Sequence, residues 1–409
     1  MYFYIFVIST LLSIYSSAQN RCDFKSIADF HKQLETVGPA LDVAAKKKEF
    51  VESSKELAKQ RPNPLLDFES LKGNQFGIAV NTYTLSAKHI IEFGSKRDKR
   101  ISRANSFIDL NSRQVDYEFF RQNLSNTISF QKLAQLDLTI KSVEEAIFTF
   151  SKIIKKLSIR KRLNPEETVS LSTLELAANE YKAQLNDLVN ERNLLEGEVA
   201  FYASCKEIKP VYSFLNFSFL KYKKSSDKEG LIKLEKLKVE MAKSDFDIEK
   251  SKGYSNIEIG PVLEYQSQGS DEFLSGGVAI SFALPLFQTN DGGKLQAAKA
   301  LAKQKRQSEN SIDLLKIKRQ RLVQKYNRSL SVYTKMPSLK SLDSRHKKVE
   351  RLFSRGLVSI SMTIESHRQL INFLKSRFET QNDLLDTYGK ISLIDGDVKS
   401  FKLLLNKGE

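Results

Sequence analysis

From Arg97 to Arg162 the chain runs without a proline or a glycine. Through this stretch Ile108, Phe119, Leu124, Ile128, Leu133, Leu136, Leu138, Ile147, Phe150, Ile154 and Leu157 recur at helical spacing. At about 1.5 Å per residue the stretch makes a rod of roughly 100 Å. No ordinary domain has a core helix of that length. Leu163-Asn164-Pro165 breaks the pattern. A second helical stretch, from about Thr168 to Ala203, then runs back with Leu174, Tyr181, Leu185, Leu188, Leu195 and Val199 on its apolar side. The pair reads as an antiparallel helical hairpin.

The chain then repeats itself. Phe76-Gly77-Ile78-Ala79-Val80 returns as Gly276-Gly277-Val278-Ala279-Ile280. Val169-Ser170-Leu171-Ser172-Thr173-Leu174-Glu175 returns as Val358-Ser359-Ile360-Ser361-Met362-Thr363-Ile364-Glu365, with one residue inserted. Leu194-Leu195 returns as Leu384-Leu385. A period of roughly 190 to 200 residues is too long for a solenoid. The second copy carries its own helical hairpin, about Leu295 to Ser354 out and Ser359 to Ile394 back, turning at Arg355-Gly356. Pro337 should kink or break its outgoing helix. The resulting division is a first repeat over 19–208, with strands at about 64–94 and helices at about 97–203. The second repeat covers 209–409, with strands at about 254–288 and helices at about 294–394.

Strands are few. Gly276 to Leu286 alternates cleanly, with Val278, Ile280, Phe282, Leu284 and Leu286 on one face and Ala279, Ser281 and Ala283 on the other. Before it, Ile257, Ile259, Leu263 and Tyr265 alternate with Glu258, Gly260 and Glu264, and Gln266–Ser275 reads as the connecting loop. One apolar face and one small or polar face is the pattern of a membrane β-barrel strand, which places Val278, Ile280, Phe282 and Leu284 toward lipid. In the first repeat, Leu65–Leu71 and Phe76–Leu85 alternate less well, because Thr82 and Thr84 fall where lipid-facing residues are expected. Four strands cannot close a barrel, and an open sheet edge cannot sit in lipid. Strands of this kind therefore require several chains to pool them.

Residues 1–18 hold no charged side chain and an apolar run from Tyr2 to Tyr15, followed by Ser16-Ser17-Ala18. They read as a secretory signal peptide cleaved before Gln19. No later segment has about 18 consecutive apolar residues. The net charge of +16 is spread along helical stretches such as Lys152–Lys161 and Lys303–Lys325. It reads as solvated helix faces, near anionic lipid or counterions, and no nucleic-acid partner is expected. Cys22 and Cys205 are the only cysteines. Two readings stay open for them, a disulfide tying the mature N-terminus to the end of the first repeat, and two unpaired thiols.

Enzyme chemistry finds little support. His31, His89, His346 and His367 stand apart in sequence, none with a second His or Cys at ligand spacing, so no metal site is expected. Gly293-Lys294 resembles the end of a phosphate loop, but Leu295 replaces its hydroxyl residue and Gln288 its upstream glycine. No nucleophile elbow occurs, and no cofactor is implied.

Four further motifs carry a resemblance that spans nearly the whole mature chain. They are Val37-Gly38-Pro39-Ala40-Leu41 leading to Arg61-Pro62-Asn63-Pro64-Leu65-Leu66, and Ile91-Glu92-Phe93-Gly94-Ser95-Lys96-Arg97 with Arg100 and Ala104. The others are Leu284-Pro285-Leu286-Phe287 with Asn290, Gly292 and Ala297, and Met336-Pro337 before Phe353-Ser354-Arg355-Gly356-Leu357-Val358-Ser359. In this order and spacing the chain resembles the TolC-like outer-membrane efflux proteins, and most of all the branch serving cobalt–zinc–cadmium-type cation exporters.

The resemblance implies a homotrimer in the outer membrane of a Gram-negative bacterium, extending into the periplasm. Each chain would give four strands to a twelve-stranded barrel and its helical hairpins to a periplasmic α-barrel. A membrane-fusion adaptor would dock on the hairpin tips, linking to a proton-driven inner-membrane pump of the RND type. The chain would be a passive, gated conduit for small solutes or metal cations. The tip residues it implies are Gly356, Leu357, Val358 and Ser359, with Val169 and Ser170 in the first repeat, where Asn164-Pro165 replaces the family's glycine. Glu365 and its repeat mate Glu175 are the implied gate, as rings of like charge at the periplasmic mouth. Two other functions compete. A periplasmic adaptor would insert one hairpin into a split β-domain, and a structural coiled-coil protein of the envelope would show sustained heptads.

Overall fold

The computed structural model describes residues 21–209, 217–222 and 230–407. The expected signal peptide, residues 1–18, lies outside the described residues. The elements run β1 (Cys22–Asp23), α1 (Ile27–Thr36), α2 (Pro39–Lys59), β2 (Leu65–Gln75), β3 (Ile78–Ile91), α3 (Lys96–Ser158), α4 (Pro165–Tyr202) and β4 (Ile208–Lys209). There follow α5 (Gly230–Ser251), β5 (Ile257–Gln268), β6 (Asp271–Phe282), α6 (Asp291–Tyr333), α7 (Leu339–Ser354), α8 (Ile360–Asp395) and α9 (Val398–Lys407).

α3 is an uninterrupted helix of 63 residues, roughly 95 Å long. α4 returns along it. In the second half the outgoing helix is broken around Pro337: α6 stops at Tyr333, and α7 begins at Leu339 behind Ser338, whose hydroxyl caps it by accepting from the Ser341 N–H. A proline has no N–H to give and its ring clashes with the preceding turn, so one continuous helix cannot pass. Among the described residues, no helix is long and apolar enough to cross a membrane.

The four long strands form one antiparallel sheet in the order β2-β3-β5-β6. Both hairpin turns are tight. Phe76 and Gly77 take φ of 54° and 82° between β2 and β3, the paired left-handed geometry whose twist matches that of the strands. β5 and β6 are joined through Gly269 and Ser270, with Gly269 at φ 63°. The expected loop over Gln266–Ser275 is thus replaced by a two-residue turn, and both strands extend into it. The expected strand Gly276–Leu286 is also displaced. Pairing ends at Phe282 against Ile257, so Leu284 is not a strand residue. It lies exposed in the segment leading to α6, past the end of the partner strand β5, which begins at Ile257, and Pro285 has no N–H to donate to a further ladder bond.

At the middle of the rods a tight core gathers chain that is far apart in sequence. Cys22 and Cys205 are joined by a disulfide with Cα atoms 5.9 Å apart, and β1 pairs in parallel with β4 beside it. Phe30 stacks on Phe130 at 4.1 Å, with Phe24 edge-on to both. Phe217, Tyr326, Leu384, Tyr388, Phe401 and Leu404 complete the same cluster. α9 closes it from the C-terminal side. Arg319 donates to Asp395 at 2.5 and 2.9 Å, and the Tyr222 hydroxyl donates to the same carboxylate. At Gly389 α8 lies so close to α3 that a Cβ would collide with Leu124. A second apolar cluster, with Val143, Phe150, Leu174, Tyr181 and Ile371, runs toward the far end of the hairpins.

His31 is buried in the central core. One ring nitrogen bonds the Thr127 hydroxyl at 2.8 Å and the other lies 3.7 Å from Glu35. Burial drives its pKa down to about 4, against the opposing pull of Glu35, while Lys402 lowers it further. The folded chain therefore refuses a proton that the unfolded chain, with an ordinary histidine pKa near 6.5, accepts. Stability at this residue falls as pH drops from about 6.5, and the loss is complete below about 4. Each pH unit between the two values is worth about 1.4 kcal/mol, giving a contribution of order 3 kcal/mol. Denaturation midpoints of the wild type and of His31→Gln, measured from pH 7 to 4, should show the shallower acid slope in the variant. Parallel slopes would mean that His31 takes up its proton as readily in the folded core as in the unfolded chain.

Candidate functional site

The sheet has two unlike faces, and register sets them. Because directly opposed residues share a face, the pairs Phe68–Leu85, Leu85–Leu263, Ile259–Ile280, Pro261–Val278 and Tyr265–Leu274 lie together. Tyr83 and Tyr265 stack there at 6.2 Å, and Phe68 stacks on Tyr83 at 6.4 Å. Val278, Ile280 and Phe282 are 69%, 60% and 56% exposed on this apolar face. The opposite face carries Asp67, Thr82, Thr84, Ser86, Lys88, Glu258, Glu264, Ala279 and Ser281. Lys88 pairs with Asp67 at 3.0 Å, and the Ser281 hydroxyl donates to Glu258 at 3.0 Å.

Thr82 and Thr84 were expected on the apolar side of β3. The register corrects this: Tyr83 and Leu85 face Tyr265 and Leu263, and the threonines belong to the polar face. The apolar face is not covered by the helices. A contiguous exposed apolar sheet of this size requires a lipid or protein partner. Each strand of 11 to 14 residues is about 40 Å long at 3.3 Å per residue. Tilted by roughly 40°, such a strand exceeds the roughly 25 Å apolar band of an outer-membrane barrel. β2 and β6 are the edges of the sheet within the chain.

The motifs after the strands are hinges from sheet to rod. After β3, Gly94 and Ser95 take φ of 71° and 54°, and α3 starts at once. A Cβ at Gly94 would enter the Tyr254 ring. Arg100 grips both oxygens of Glu92 and also donates to the Gln60 carbonyl at 3.1 Å. These bonds hold the Glu92 carboxyl below the usual carboxylate range. The second copy repeats the geometry with other residues: Asn290, φ 60°, precedes α6, and its amide donates to the Glu249 carbonyl at 2.8 Å and to the Glu249 carboxylate at 2.9 Å.

At the far end lie two turns. α7 ends in a Schellman motif, with the Gly356 N–H donating to the Phe353 carbonyl at 2.8 Å and the Leu357 N–H to the Leu352 carbonyl at 3.0 Å. Gly356 sits at φ 73°. The Ser359 hydroxyl caps α8 by accepting from the Met362 N–H at 3.3 Å. Leu357 is 69% exposed, while Val358 is half-buried. The first-repeat turn is built differently. Asn164 and Glu167 make a reciprocal capping box at 2.7 and 3.1 Å, and Arg160 pairs with Glu167. Val169 is exposed and Ser170 half-buried on the second turn of α4.

The two implied gate residues differ. Glu365 is held by Arg368 at 2.8 and 3.0 Å and by Gln369 at 2.8 Å, which lower its pKa. Much of its charge is answered on its own helix. Glu175 is exposed on α4.

The expected isolation of the histidines fails for two of them. His346 on α7 and His367 on α8 are both buried, with ring centroids 4.4 Å apart, and Glu350 stands beside both. Sequence spacing missed this group because its members lie on two helices. The i, i+4 spacing of His346 and Glu350 was the available signal.

Replacing Gly356 by Val would force a β-branched side chain into the left-handed region, at roughly 1–3 kcal/mol. Amide exchange over residues 352–360 should quicken by about 10- to 100-fold, while overall helix content stays unchanged. Unaltered exchange would show that the turn tolerates another conformation.

No protein-family model matches the sequence, and no curated protein is significantly similar to it. The fold, however, has close parallels among solved structures. The open-state outer membrane channel MtrE of Neisseria gonorrhoeae superposes with a TM-score of 0.67 at 9% identity, over 91% of this chain and 89% of that one. The outer membrane protein VceC of Vibrio cholerae gives 0.58 at 14%, over 90% and 96%. The outer membrane channel CmeC of Campylobacter jejuni gives 0.61 at 10%, over 94% and 90%. Helical rods with a four-stranded antiparallel sheet at one end are therefore the fold of these channels.

Proposed function

We propose that the chain is one subunit of a TolC-like outer-membrane channel, a passive conduit in a tripartite efflux assembly and not an enzyme. The observation that carries this reading is the sheet, with one exposed apolar face, one polar face and edges at β2 and β6. Strand directions alternate across it. The β6 of one copy therefore meets the β2 of the next in antiparallel sense, and the contact repeats head to tail until a ring closes. Closure removes every edge, as a bilayer demands. Three copies give the twelve strands that the family resemblance implies. The likeness to MtrE, VceC and CmeC, whose names describe outer membrane proteins and channels, supports the same architecture. Exposed Val43, Phe50 and Leu57, spaced by seven along α2, suit contact with a neighbouring copy.

On this reading the apolar face meets outer-membrane lipid, the polar face lines water, and the helices extend into the periplasm. The exposed Leu357 at the Schellman turn is the docking knob for an adaptor that couples to an inner-membrane pump of the RND type. Glu365 and Glu175 border the closed mouth, with Glu175 the less neutralised of the two. The cargo is small solutes or metal cations, the latter on the family resemblance. A periplasmic adaptor fits less well, because two full hairpins here flank a sheet with an unburied apolar face.

Detergent-extracted protein should have the mass of three chains. Ile280→Arg should block assembly, since a charge at the lipid midplane costs about 2–4 kcal/mol per chain. Ser281→Arg should assemble and change single-channel conductance. A stable detergent-free monomer, or equal assembly of the two variants, would sink the barrel.

Docking is tested separately. Leu357→Asp should leave the trimer intact, because the turn is separated from the sheet by roughly 90 Å of helix. It should abolish adaptor cross-linking and export. Normal export by this variant would place the docking surface elsewhere.

A further inference from the structure

The pair of buried histidines near the α7–α8 turn has no part in barrel, hinge or docking. None of their four ring nitrogens has a hydrogen-bond partner in the protein. Each neutral imidazole has one N–H and one lone pair to satisfy, and burying them unmet is unfavourable. The Glu350 Oε1 atom lies 3.8 Å from His346 Nε2 and 4.0 Å from His367 Nε2. One ligand atom from each of the three residues falls within 4.8 Å of the others.

We propose that His346, Glu350 and His367 bind a divalent transition-metal ion of the zinc class, which clamps α7 to α8 behind the turn. Two imidazoles and one carboxylate are a zinc-type donor set, whereas magnesium and calcium take oxygen donors. Around a tetrahedral ion with bonds of about 2.0–2.1 Å, neighbouring ligand atoms stand roughly 3.4 Å apart. The two Glu350–histidine separations are thus within about half an ångström of ligating distance, and the two imidazoles need draw together by no more than about 1.4 Å. Helix geometry supplies two of them, because residues four apart share a face. The Phe150 ring, edge-on to His367 at 5.4 Å, fixes that imidazole. Three protein ligands leave a fourth position, and a cavity of about 360 Å³ lined by His346, Glu145 and Asp343 gives water and ions a way in.

Place gives the clamp its consequence. His346 precedes Gly356 by ten residues and His367 follows Ser359 by eight, about 15 and 12 Å along their helices. A bound ion would hold the two helices together just behind the exposed Leu357 turn. It would stiffen that turn without touching it.

The test uses the full chain in detergent, stripped with a chelator and then titrated with Zn²⁺ or Co²⁺ alone. The wild type should bind one equivalent per chain at micromolar metal, raise its melting temperature with Zn²⁺, and give the intense visible bands of tetrahedral Co²⁺. Mg²⁺ should do none of this. Glu350→Gln, at a side chain 30% exposed, should fold with wild-type helix content. It should lose affinity by at least the roughly 10- to 100-fold that loss of an outer-shell partner brings. His367→Asn should lose the cobalt bands. Absence of stoichiometric binding by the wild type would overturn the site, and so would unchanged binding by both variants. Neither result bears on the channel reading, which is judged by assembly and conductance.

Discussion

The structure turns on strand register. With Leu85 opposite Leu263 and Ile259 opposite Ile280, the register gathers Phe68, Tyr83, Leu85, Ile259, Leu263, Tyr265, Leu274, Val278, Ile280 and Phe282 on one side of the sheet. A slip of one residue in any strand would carry its apolar set to the polar face. The tight turns at Phe76-Gly77 and Gly269-Ser270 leave no slack for such a slip. The one irregularity is local. Ala87 and Lys88 are unpaired opposite Gly260 and Pro261, where the backbones come so close that a Cβ on Gly260 would strike the Ala87 carbonyl. Proline has no N–H to offer at that point, and glycine is the residue that lets two backbones approach.

The sheet would be of little use if it swung freely on its rods. Two left-handed residues, Ser95 and Asn290, turn the chain from strand to helix within a few positions. Side chains from neighbouring elements lock each turn, Arg100 on Glu92 in one copy and Asn290 on Glu249 in the other. Halfway along the rods, the aromatic core packs α1, α3, α6, α8 and α9 together. The orientation of the strands is thereby set by contacts distributed over the first half of the rods.

Long-range periodicity was legible in the sequence, and short-range irregularity was not. The rods could be read because dozens of apolar positions at helical spacing leave no alternative. Pro337 marked its break for an equally plain reason. The strand ends were misjudged where alternation and turn chemistry disagree. Leu284 continues the alternation of β6, yet its partner strand begins at Ile257, opposite Phe282, and leaves it nothing to pair with. Thr82 and Thr84 look misplaced until β5 reveals which face of β3 is shared. The tip glycine was legible because Gly356 stands alone before a capping serine. The His346–His367 pair was not, since nothing in a linear string says that two helices bring those residues together. The pairing that answers Glu365 was similarly hidden, because an i, i+3 arginine is present on most charged helices whether or not it engages.

The Cys22–Cys205 bond divides the chain into topologically unequal parts. It encloses α1, α2, β2, β3, α3 and α4 in a covalent ring closed between cysteines 183 positions apart and leaves β4, α5, β5, β6 and α6 to α9 as an open tail. Denatured, the ring half has the smaller conformational space to search, an entropy difference of several kcal/mol in chain-closure terms. The two copies of one ancestral pattern are thus unequal polymers. A protease nick inside the ring would leave its two pieces covalently attached, whereas a cut between Cys205 and β5 would leave β5 and β6, half of the sheet, with no covalent link to the rest.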